Sequence, residues 1–299
     1  MFIPYKVDVP MQRWPVANWV LIGLTVLISL AMFGPLAEWE NQRMGPMRYL
    51  PPEVQKAMRD AGVVSAEPEP SIVDAFMLQP RNFRVTQLVG NLFIHAGFMH
   101  LAGNMLFLFV FGNAVNAKLG HFKYVLVYLG VGVLESGIWV VAGPKAPCLG
   151  ASGAIMGIIG AFLLLYPLND VSVGYMFTFF YSGVYALSAM WVIAVYIAFD
   201  IWGLIRGGNS GVAYLAHVVG FGAGAASAAT MLWFRFVEMD QNERSLLQAW
   251  HFMPEVDAGA TPRRAIDGDT PEHAVRATAR RAVAPVVRKK RDEGPIPLD

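Results

Sequence analysis

Four polar residues lie at or near the start of long apolar stretches: Ser152, His217, His100 and Asn104. Lipid penalises such groups, so a polar residue in this setting is taken as functional by default. A serine hydroxyl becomes a strong nucleophile when a base removes its proton, and histidine is the commonest base. The residue types therefore indicate hydrolytic acyl transfer, with Ser152 as the nucleophile and His217 as the base.

Ser152 lies in the small-residue stretch Gly150-Ala151-Ser152-Gly153, where one of these apolar runs begins. The flanking glycines permit a tight turn and the close approach of another backbone. A helix that begins here would direct free N–H groups toward a developing negative charge. Serine is also a common helix N-cap and a common small residue at helix contacts, and Ser152 alone does not separate these roles.

His217 is followed by Gly220 and Gly224, a spacing at which one helix can approach another closely. The run that begins at Ser152 carries a similar set of glycines: Gly153, Gly157 and Gly160. We expect the two glycine faces to pack together and to bring His217 Nε2 within hydrogen-bonding distance of Ser152 Oγ. The alternative is a histidine that only bridges two helices.

His100 and Asn104 share one face of a helix because they are separated by about one turn. Both side chains can donate hydrogen bonds, and with the Ser152 backbone N–H they could stabilise an oxyanion. The alternative is a metal pair of His95 and His100. Their spacing suits one helix face poorly, and the sequence offers no evident third ligand, so no metal site is predicted.

Two carboxylates, Glu135 and Asp200, also fall inside apolar stretches. They could orient the base or carry ions. Local pairing is the simpler interpretation, with Glu135 next to Ser136 and Asp200 close to Arg206. Cys148 is interpreted as structural, because nothing beside it would activate a thiol.

The composition indicates that lipid surrounds most of the chain. Of the 299 residues, 55% are hydrophobic and 15% are charged, whereas a soluble domain carries about 25% charged residues. The mean hydropathy is +0.44. The net charge of +1 implies no nucleic-acid partner, and a single cysteine excludes an intrachain disulfide and a multi-cysteine zinc site. The sequence predicts an all-α polytopic membrane protein without a cofactor.

Six stretches approach the roughly 20 apolar residues that a membrane span needs. They are 16–34, 98–117, 124–142, 150–166, 184–205 and 213–236. The first is too long for a signal peptide and is predicted to be an uncleaved span. The charged segment 35–90 is predicted to be an ordered loop with short surface helices. The residues around Tyr175 to Tyr181 are predicted to form an interfacial loop.

Lysine and arginine in short flanking segments predict the orientation of the spans. Residues 1–15 carry Lys6 and Arg13, the segment between spans two and three carries Lys118 and Lys123, and a basic tail follows span six. These segments are therefore expected in the cytoplasm. With six spans, the residues proposed above for the reaction meet at one depth near the opposite face.

The tail, 237–299, has few large apolar residues after Met253, and it is predicted to be a disordered cytoplasmic segment. Its run Arg288-Lys289-Lys290-Arg291 could bind anionic lipid headgroups or remain solvated.

Three motifs taken together resemble the rhomboid family of intramembrane serine proteases. They are His95-Ala-Gly-Phe-Met-His100-Leu-Ala-Gly-Asn104, then Gly150-Ala-Ser152-Gly153-Ala-Ile-Met-Gly157, then Ala216-His217-Val-Val-Gly220-Phe-Gly-Ala-Gly224. The resemblance covers 16–236 and implies a six-transmembrane-helix bundle with a Ser–His dyad and no aspartate. It implies catalytic roles for Ser152 and His217, oxyanion roles for His100 and Asn104, and support from the remaining motif residues: His95, Gly150, Gly153, Gly220 and Gly224.

Three features depart from the family pattern. Met156 stands where an aromatic residue often stacks on the histidine, and Asn116 stands where span two often ends in an acidic residue. The nearest residues to a common first-loop Trp-Arg pair are Trp39 and Arg43. These departures concern the loop geometry and the orientation of the histidine, and the Ser–His pair itself is retained.

The predicted function is cleavage of transmembrane segments of other membrane proteins by a serine endopeptidase near the outer face. The protein is expected to be multi-pass, with cytoplasmic termini, in a bacterial inner membrane, where lipids and substrates are its partners. One alternative is a non-proteolytic scaffold or chaperone that binds transmembrane helices. Another is a carrier that uses Glu135 and Asp200, but no inverted repeat favours it.

Overall fold

The structure is a computed structural model that describes residues 2–44, 53–54, 57–58, 61, 71–178, 181–207, 212–240 and 243–254. Most of the described chain is helical. The long helices are α1 (Val16–Met44), α4 (Phe98–Phe107), α5 (Asn113–Leu119), α6 (His121–Ala142), α7 (Ser152–Leu165), α8 (Ala189–Arg206) and α9 (Tyr214–Trp233), and the short ones are α2 (Val73–Phe76), α3 (Gln87–Gly90) and α10 (Leu246–Ala249). A π-helical turn, Leu108–Gly112, joins α4 to α5 without a break.

Five helical stretches among the described residues are long and apolar enough to cross a membrane. They are Val16–Gln42, Phe98–Leu119, His121–Ala142, Ala189–Arg206 and Tyr214–Trp233. Helix α7 is equally apolar but has only 14 residues. The chain is therefore an integral multi-pass membrane protein, in which the fourth expected span, 150–166, is a shorter helix than the others.

The all-α prediction was wrong in one region. Strands β1 (Phe2–Val7), β2 (Asp170–Thr178) and β3 (Tyr181–Ser188) form an antiparallel sheet in the order β1-β2-β3. The expected interfacial loop around Tyr175 to Tyr181 is thus mostly strand, and the fifth span begins at Ala189 instead of 184. Apolar content without a helical period does not distinguish a short strand from a membrane-surface segment.

Helix α1 continues through Pro35 to Met44 and does not end where the apolar run ends. Its extension is stabilised by tertiary packing, because Leu36 and Trp39 are buried against the loop residues Val73 and Ile94. The rest of the expected loop contains the short helices α2 and α3 where it is described.

The helices have two distinct ends. The site end, where α7 begins at Ser152, also holds the loops 71–97 and 143–151, which are joined by a bridge between Leu78 and Cys148. The sheet end holds the three strands and the chain after α9. There Lys118 is paired with Glu243, so the described part of the tail, through Pro254, is folded. The basic run 288–291 lies outside the described residues.

Candidate functional site

The loop before Ser152 has a backbone that favours glycine. Gly150 has φ of +118°, a conformation that other residues rarely adopt. A Cβ atom at this position would lie 2.8 Å from His100 Cε1 and 3.8 Å from Asn104 Nδ2. The chain thus passes directly over the two side chains that the sequence proposed as oxyanion donors, and α7 begins two residues later.

Two hydrogen bonds hold this loop in place. Gly150 N–H donates to the carbonyl oxygen of Asn91 at 2.9 Å. Ala151 N–H donates to His95 Nε2 at 3.4 Å. The role of Asn91 could not be predicted from the sequence, because it holds the loop with its main-chain carbonyl, which any residue type has.

His95 belongs to a short chain of polar contacts. Since Nε2 accepts from Ala151, the ring proton lies on Nδ1, which is 2.9 Å from Ser29 Oγ. The Ser29 hydroxyl in turn donates to the Phe93 carbonyl at 2.8 Å. Burial, aided by the adjacent His100, lowers the pKa of His95 to about 3. A neutral His95 can accept this bond, so its geometry fits a supporting role.

His100 and Asn104 lie on α4 with different surroundings. His100 is exposed, and its ring stands edge-on to His95 with centroids 5.1 Å apart. Asn104 is 9% exposed, and its Nδ2 has no hydrogen-bond partner in the described part of the chain. Buried donors are almost always paired, so an unpaired one beside a nucleophile candidate indicates a place for a ligand oxygen.

The glycine faces of α7 and α9 meet as the spacing predicted. A Cβ atom at Gly220 would overlap the carbonyl oxygen of Gly153, and one at Gly224 would overlap that of Gly157. Only glycine permits main chains to come this close. Ser152 immediately precedes Gly153, and His217 is one turn before Gly220, so the two side chains belong to touching helices at adjacent levels.

Ser152 and His217 are both partly buried. No hydrogen bond joins Ser152 Oγ to the His217 ring among the contacts of the described residues. Catalytic hydrogen bonds are often long or poorly aligned without substrate, so the absence of this bond is compatible with a nucleophile and its base.

The Nδ1 side of the His217 ring contacts Asp200, for which the sequence predicted Arg206 as the partner. His217 Nδ1 is 3.1 Å from Asp200 Oδ1 on α8, and both side chains are 15% exposed. The expected pairing of Asp200 with Arg206 is therefore wrong: the Arg206 guanidinium lies over the Trp202 ring. The sequence signal was limited to the carboxylate itself, because its position inside a span indicates a partner but does not say which residue that is.

Glu135 and Cys148 lie near the site, and in the described part of the chain neither forms a hydrogen bond with its polar groups. Glu135 accepts a bond from Ser136 at 3.3 Å, as expected, and it also lies against Gly153. Burial raises the pKa of the Cys148 thiol to about 12. A thiol that stays protonated is a poor nucleophile, which agrees with a structural role.

The residues that depart from the family pattern each have a local role. Met156 is buried in the core one turn after Ser152. Asn116 accepts a hydrogen bond from the backbone of Asn18, so it ties α5 to α1. Trp39 donates to Asp74 at 2.8 Å and holds α1 to α2.

A family model described as the Rhomboid domain matches residues 82–234, just over half of the chain. The chain therefore belongs to the rhomboid family. YdcA of Bacillus subtilis, whose name marks it as a candidate rhomboid protease, is 32% identical over 103 residues, which is 34% of this chain and 52% of YdcA. The mitochondrial presenilin-associated rhomboid-like protein of Mus musculus is 29% identical over 163 residues, 53% of this chain and 40% of that protein.

The chloroplastic Rhomboid-like protein 11 of Arabidopsis thaliana is 38% identical over 80 residues, 26% of this chain and 29% of that protein. The chain thus spans about half, or less, of the length of these relatives. They occur in bacteria, mitochondria and chloroplasts, so the expected bacterial inner membrane stays a prediction.

Proposed function

We propose that this protein is an intramembrane serine endopeptidase that cleaves transmembrane segments of other membrane proteins. The observation that carries the proposal is the contact of Gly220 with the Gly153 carbonyl. It supports a common level for the Ser152 hydroxyl and the His217 imidazole, because each is within one turn of that contact. A scaffold could use the same glycine packing, but it would have no need of a nucleophile and a base at one level.

In the proposed reaction, His217 Nε2 takes the proton of Ser152 as the hydroxyl attacks the scissile carbonyl. The tetrahedral oxyanion collapses, and His217 gives the proton to the leaving amine. Water then attacks the acyl-enzyme by the same route, with His217 again as the base. Neither a metal ion nor a cofactor enters these steps.

The oxyanion is proposed to bind Asn104 Nδ2, His100 and the Ser152 backbone N–H. Asn104 supports this role best, since its buried donor has no partner among the described residues and lies 3.8 Å from where a Gly150 side chain would begin. The Ser152 amide is in the first helical turn, where N–H groups have no partner within the helix. Such donors stabilise a developing negative charge strongly because they are already oriented toward it before the reaction.

The proposed site lies below the membrane surface. Fourteen residues of α-helix are about 21 Å long, whereas the hydrocarbon core is about 30 Å thick. If α7 begins inside the membrane, it is the fourth of six spans in chain order, and Ser152 requires a water-filled hollow open to one face. Irregular backbone, such as the loop at Gly150, is tolerated at such depth when it lines a cavity.

The substrate helix must unwind locally, because a helical peptide bond has its carbonyl engaged and shielded. We propose cleavage near the outer end of a substrate span with glycine, proline or other small residues. Entry is proposed between α4 and α8, where Phe107 meets Tyr196 edge-on at 5.4 Å. We also propose that α8 gates this entry; of the loop that follows it, residues 208–211 lie outside the described part of the chain.

Both termini are proposed to be cytoplasmic, with the sheet end on that side. Residues 2–7 pair with β2, and Gln12 contacts Glu243 at 3.1 Å, so the N-terminus and the chain after α9 occupy the same end. The positively charged flanking segments predict this end to be cytoplasmic. Membrane lipids and transmembrane proteins are then the partners.

The test is cleavage of a fluorogenic transmembrane substrate in proteoliposomes by wild-type protein, Ser152→Ala and His217→Ala. Loss of the nucleophile or the base should lower kcat by about 10⁴-fold or more. Ser227→Ala removes a hydroxyl that donates to Ala223 of its own helix, so it is the matched control and should keep full activity. Binding of the substrate without turnover by wild type would instead favour the scaffold alternative.

A further inference from the structure

We propose that Asp200 positions the His217 ring for catalysis, so that the site is a Ser–His–Asp arrangement. This inference rests on the proposed function and adds to it, because the family resemblance implies a dyad without an aspartate. Its basis is the 3.1 Å contact between His217 Nδ1 and Asp200 Oδ1. Asp200 is a positioning residue, since it acts through the histidine and not on the substrate.

The contact determines which ring nitrogen can act as a base. An ionised carboxylate only accepts hydrogen bonds, so the ring proton must lie on Nδ1. The lone pair is then on Nε2, the nitrogen that faces away from Asp200. A neutral ring in this tautomer is the form that can take a proton from Ser152.

The close packing of α8 on α9 brings Asp200 to His217. Gly203 is one turn after Asp200 on α8, and Tyr214 is one turn before His217 on α9. A Cβ atom at Gly203 would overlap the Tyr214 ring, so this glycine permits α8 and α9 to approach. Two neighbouring turns of α8 therefore contact two neighbouring turns of α9, and Asp200 lies in that seam.

The nearby charged groups leave the Asp200 carboxylate available to pair with His217. Arg206, the cation on the same helix, stacks on Trp202. His100, the titratable residue of α4, is exposed and has no carboxylate contact in the described structure. Both members of the pair are 15% exposed, so each is partly shielded from water.

The proton balance of the reaction is unchanged. When Ser152 Oγ forms the bond to the carbonyl carbon, its proton moves to His217 Nε2, and the ring becomes an imidazolium with a proton on each nitrogen. Asp200 stays ionised and stabilises that cation. The Nε2 proton then leaves with the amine, and the ring returns to its starting tautomer.

A purely mechanical role is the competing hypothesis. The same contact could merely hold α8 against α9 and control substrate entry between α4 and α8. A small fluorophosphonate reacts with an activated serine and needs no helix to enter. Its rate of reaction with Ser152 therefore reports on the base, whereas cleavage of a membrane substrate reports on the base and on entry.

The experiment compares wild type with Asp200→Asn, Asp200→Ala and Asp200→Glu in detergent micelles and in proteoliposomes. Asp170→Asn, an exposed aspartate at the sheet end, is the matched control. We expect Asn and Ala to lower both the labelling rate and kcat by at least about 10-fold, with KM unchanged. Soluble triads set the upper limit at about 10⁴-fold. The Glu variant should recover part of the loss, because it restores a carboxylate.

The outcomes separate the two proposals. If Ser152→Ala and His217→Ala abolish labelling while Asp200→Ala and Asp200→Asn label like wild type, the positioning role is wrong and the protease stands. If wild type neither labels nor cleaves, the protease proposal fails and this inference fails with it. Changes in KM alone would assign Asp200 to entry and also overturn the positioning role.

A spectroscopic measurement guards against variants that fold poorly. ¹⁵N spectra of labelled histidine in Ser152→Ala, which keeps the pair intact, should show His217 with its proton on Nδ1. Removing Asp200 in the same background should populate the other tautomer. An Nε2 proton on His217 with Asp200 present would contradict the proposal.

Discussion

The polar groups at the two ends of α7 differ in whether they have partners. At the sheet end, Tyr166 directs its hydroxyl to Glu243 at 3.4 Å, and the Lys118 ammonium pairs with the same carboxylate. Asp240 lies 3.5 Å from Lys118, and its backbone N–H donates to Glu243 at 3.0 Å. The buried charges of Lys118 and Glu243 and the half-buried Asp240 therefore satisfy one another.

At the site end, polar groups are left over. Asn104 Nδ2 is buried without a partner among the described residues, and Ser152 Oγ is not bonded to His217. His100 is exposed. Unpaired buried groups are costly, so proteins retain them mainly where a ligand completes the set.

This difference indicates that one end of α7 contributes mainly to the stability of the protein and the other end mainly to the proposed reaction. The ion pairs and hydrogen bonds at the sheet end hold α5, α7 and the chain after α9 together. The site end relies for its position on the glycine contacts and on the hydrogen bonds that Gly150 and Ala151 donate. Changes at the sheet end should therefore alter the free energy of unfolding, and changes at the site end should alter the rate.

Lys118→Ala should have the largest effect. It leaves Glu243 buried without its main cation, and breaking a buried pair typically costs about 3–5 kcal/mol. Thermal unfolding in detergent should show a strong loss of stability, while the kcat of the protein that remains folded stays near wild type. Lys145→Ala, an exposed lysine, is the control and should change stability by no more than about 0.5 kcal/mol. If the kcat of the Lys118→Ala protein that remains folded fell well below the wild-type value, the distinction between the two ends would be wrong.

Asn104→Ala should have the converse effect. Losing one oxyanion donor costs about 10²–10³-fold in kcat in soluble enzymes. Stability should not fall through a lost hydrogen bond, since Nδ2 makes none with the described residues. The matched control is Asn113→Ala, which removes the acceptor of a 2.8 Å bond from Asn18; it should cost about 1 kcal/mol of stability and spare kcat. The same outcome for both asparagines would reduce Asn104 to a packing role.

Gly224→Ala tests the contact that connects the two ends. Its methyl group would overlap the Gly157 carbonyl oxygen, and overpacking of this kind costs about 1–3 kcal/mol. We expect lower stability and lower activity together, because α9 must move away from α7. Gly222→Ala has open space in the same helix and should be tolerated. Equal behaviour of the two variants in unfolding and cleavage assays would show that the close approach is dispensable.

The sequence predicted the parts of the site that depend on residue type and spacing. Gly220 and Gly224 predicted the contact with α7, since only small residues allow it. The i, i+4 spacing placed His100 and Asn104 on one helix. The helices of the bundle were located well because an apolar run of about 20 residues is long enough to cross the bilayer and is rare in a soluble fold.

Contacts between distant segments were not predictable in this way. Asp200 has two basic candidates, Arg206 nearby in sequence and His217 farther along, and only the packing of Gly203 on Tyr214 decides between them. The pairing of β1 with β2 was not predicted because the two strands are far apart in sequence and pair only after folding. The extension of α1 beyond Pro35 likewise depends on tertiary packing.

The most direct test of the proposed dyad is the chemical identity of the reactive residue. Wild-type protein in proteoliposomes is treated with a fluorophosphonate, digested and analysed by peptide mass spectrometry. We predict one adduct, on Ser152, that is lost in His217→Ala while thermal unfolding of that variant stays near wild type. An adduct on another residue, or labelling of Ser152 that persists without His217, would contradict the claim that these two side chains form one catalytic unit.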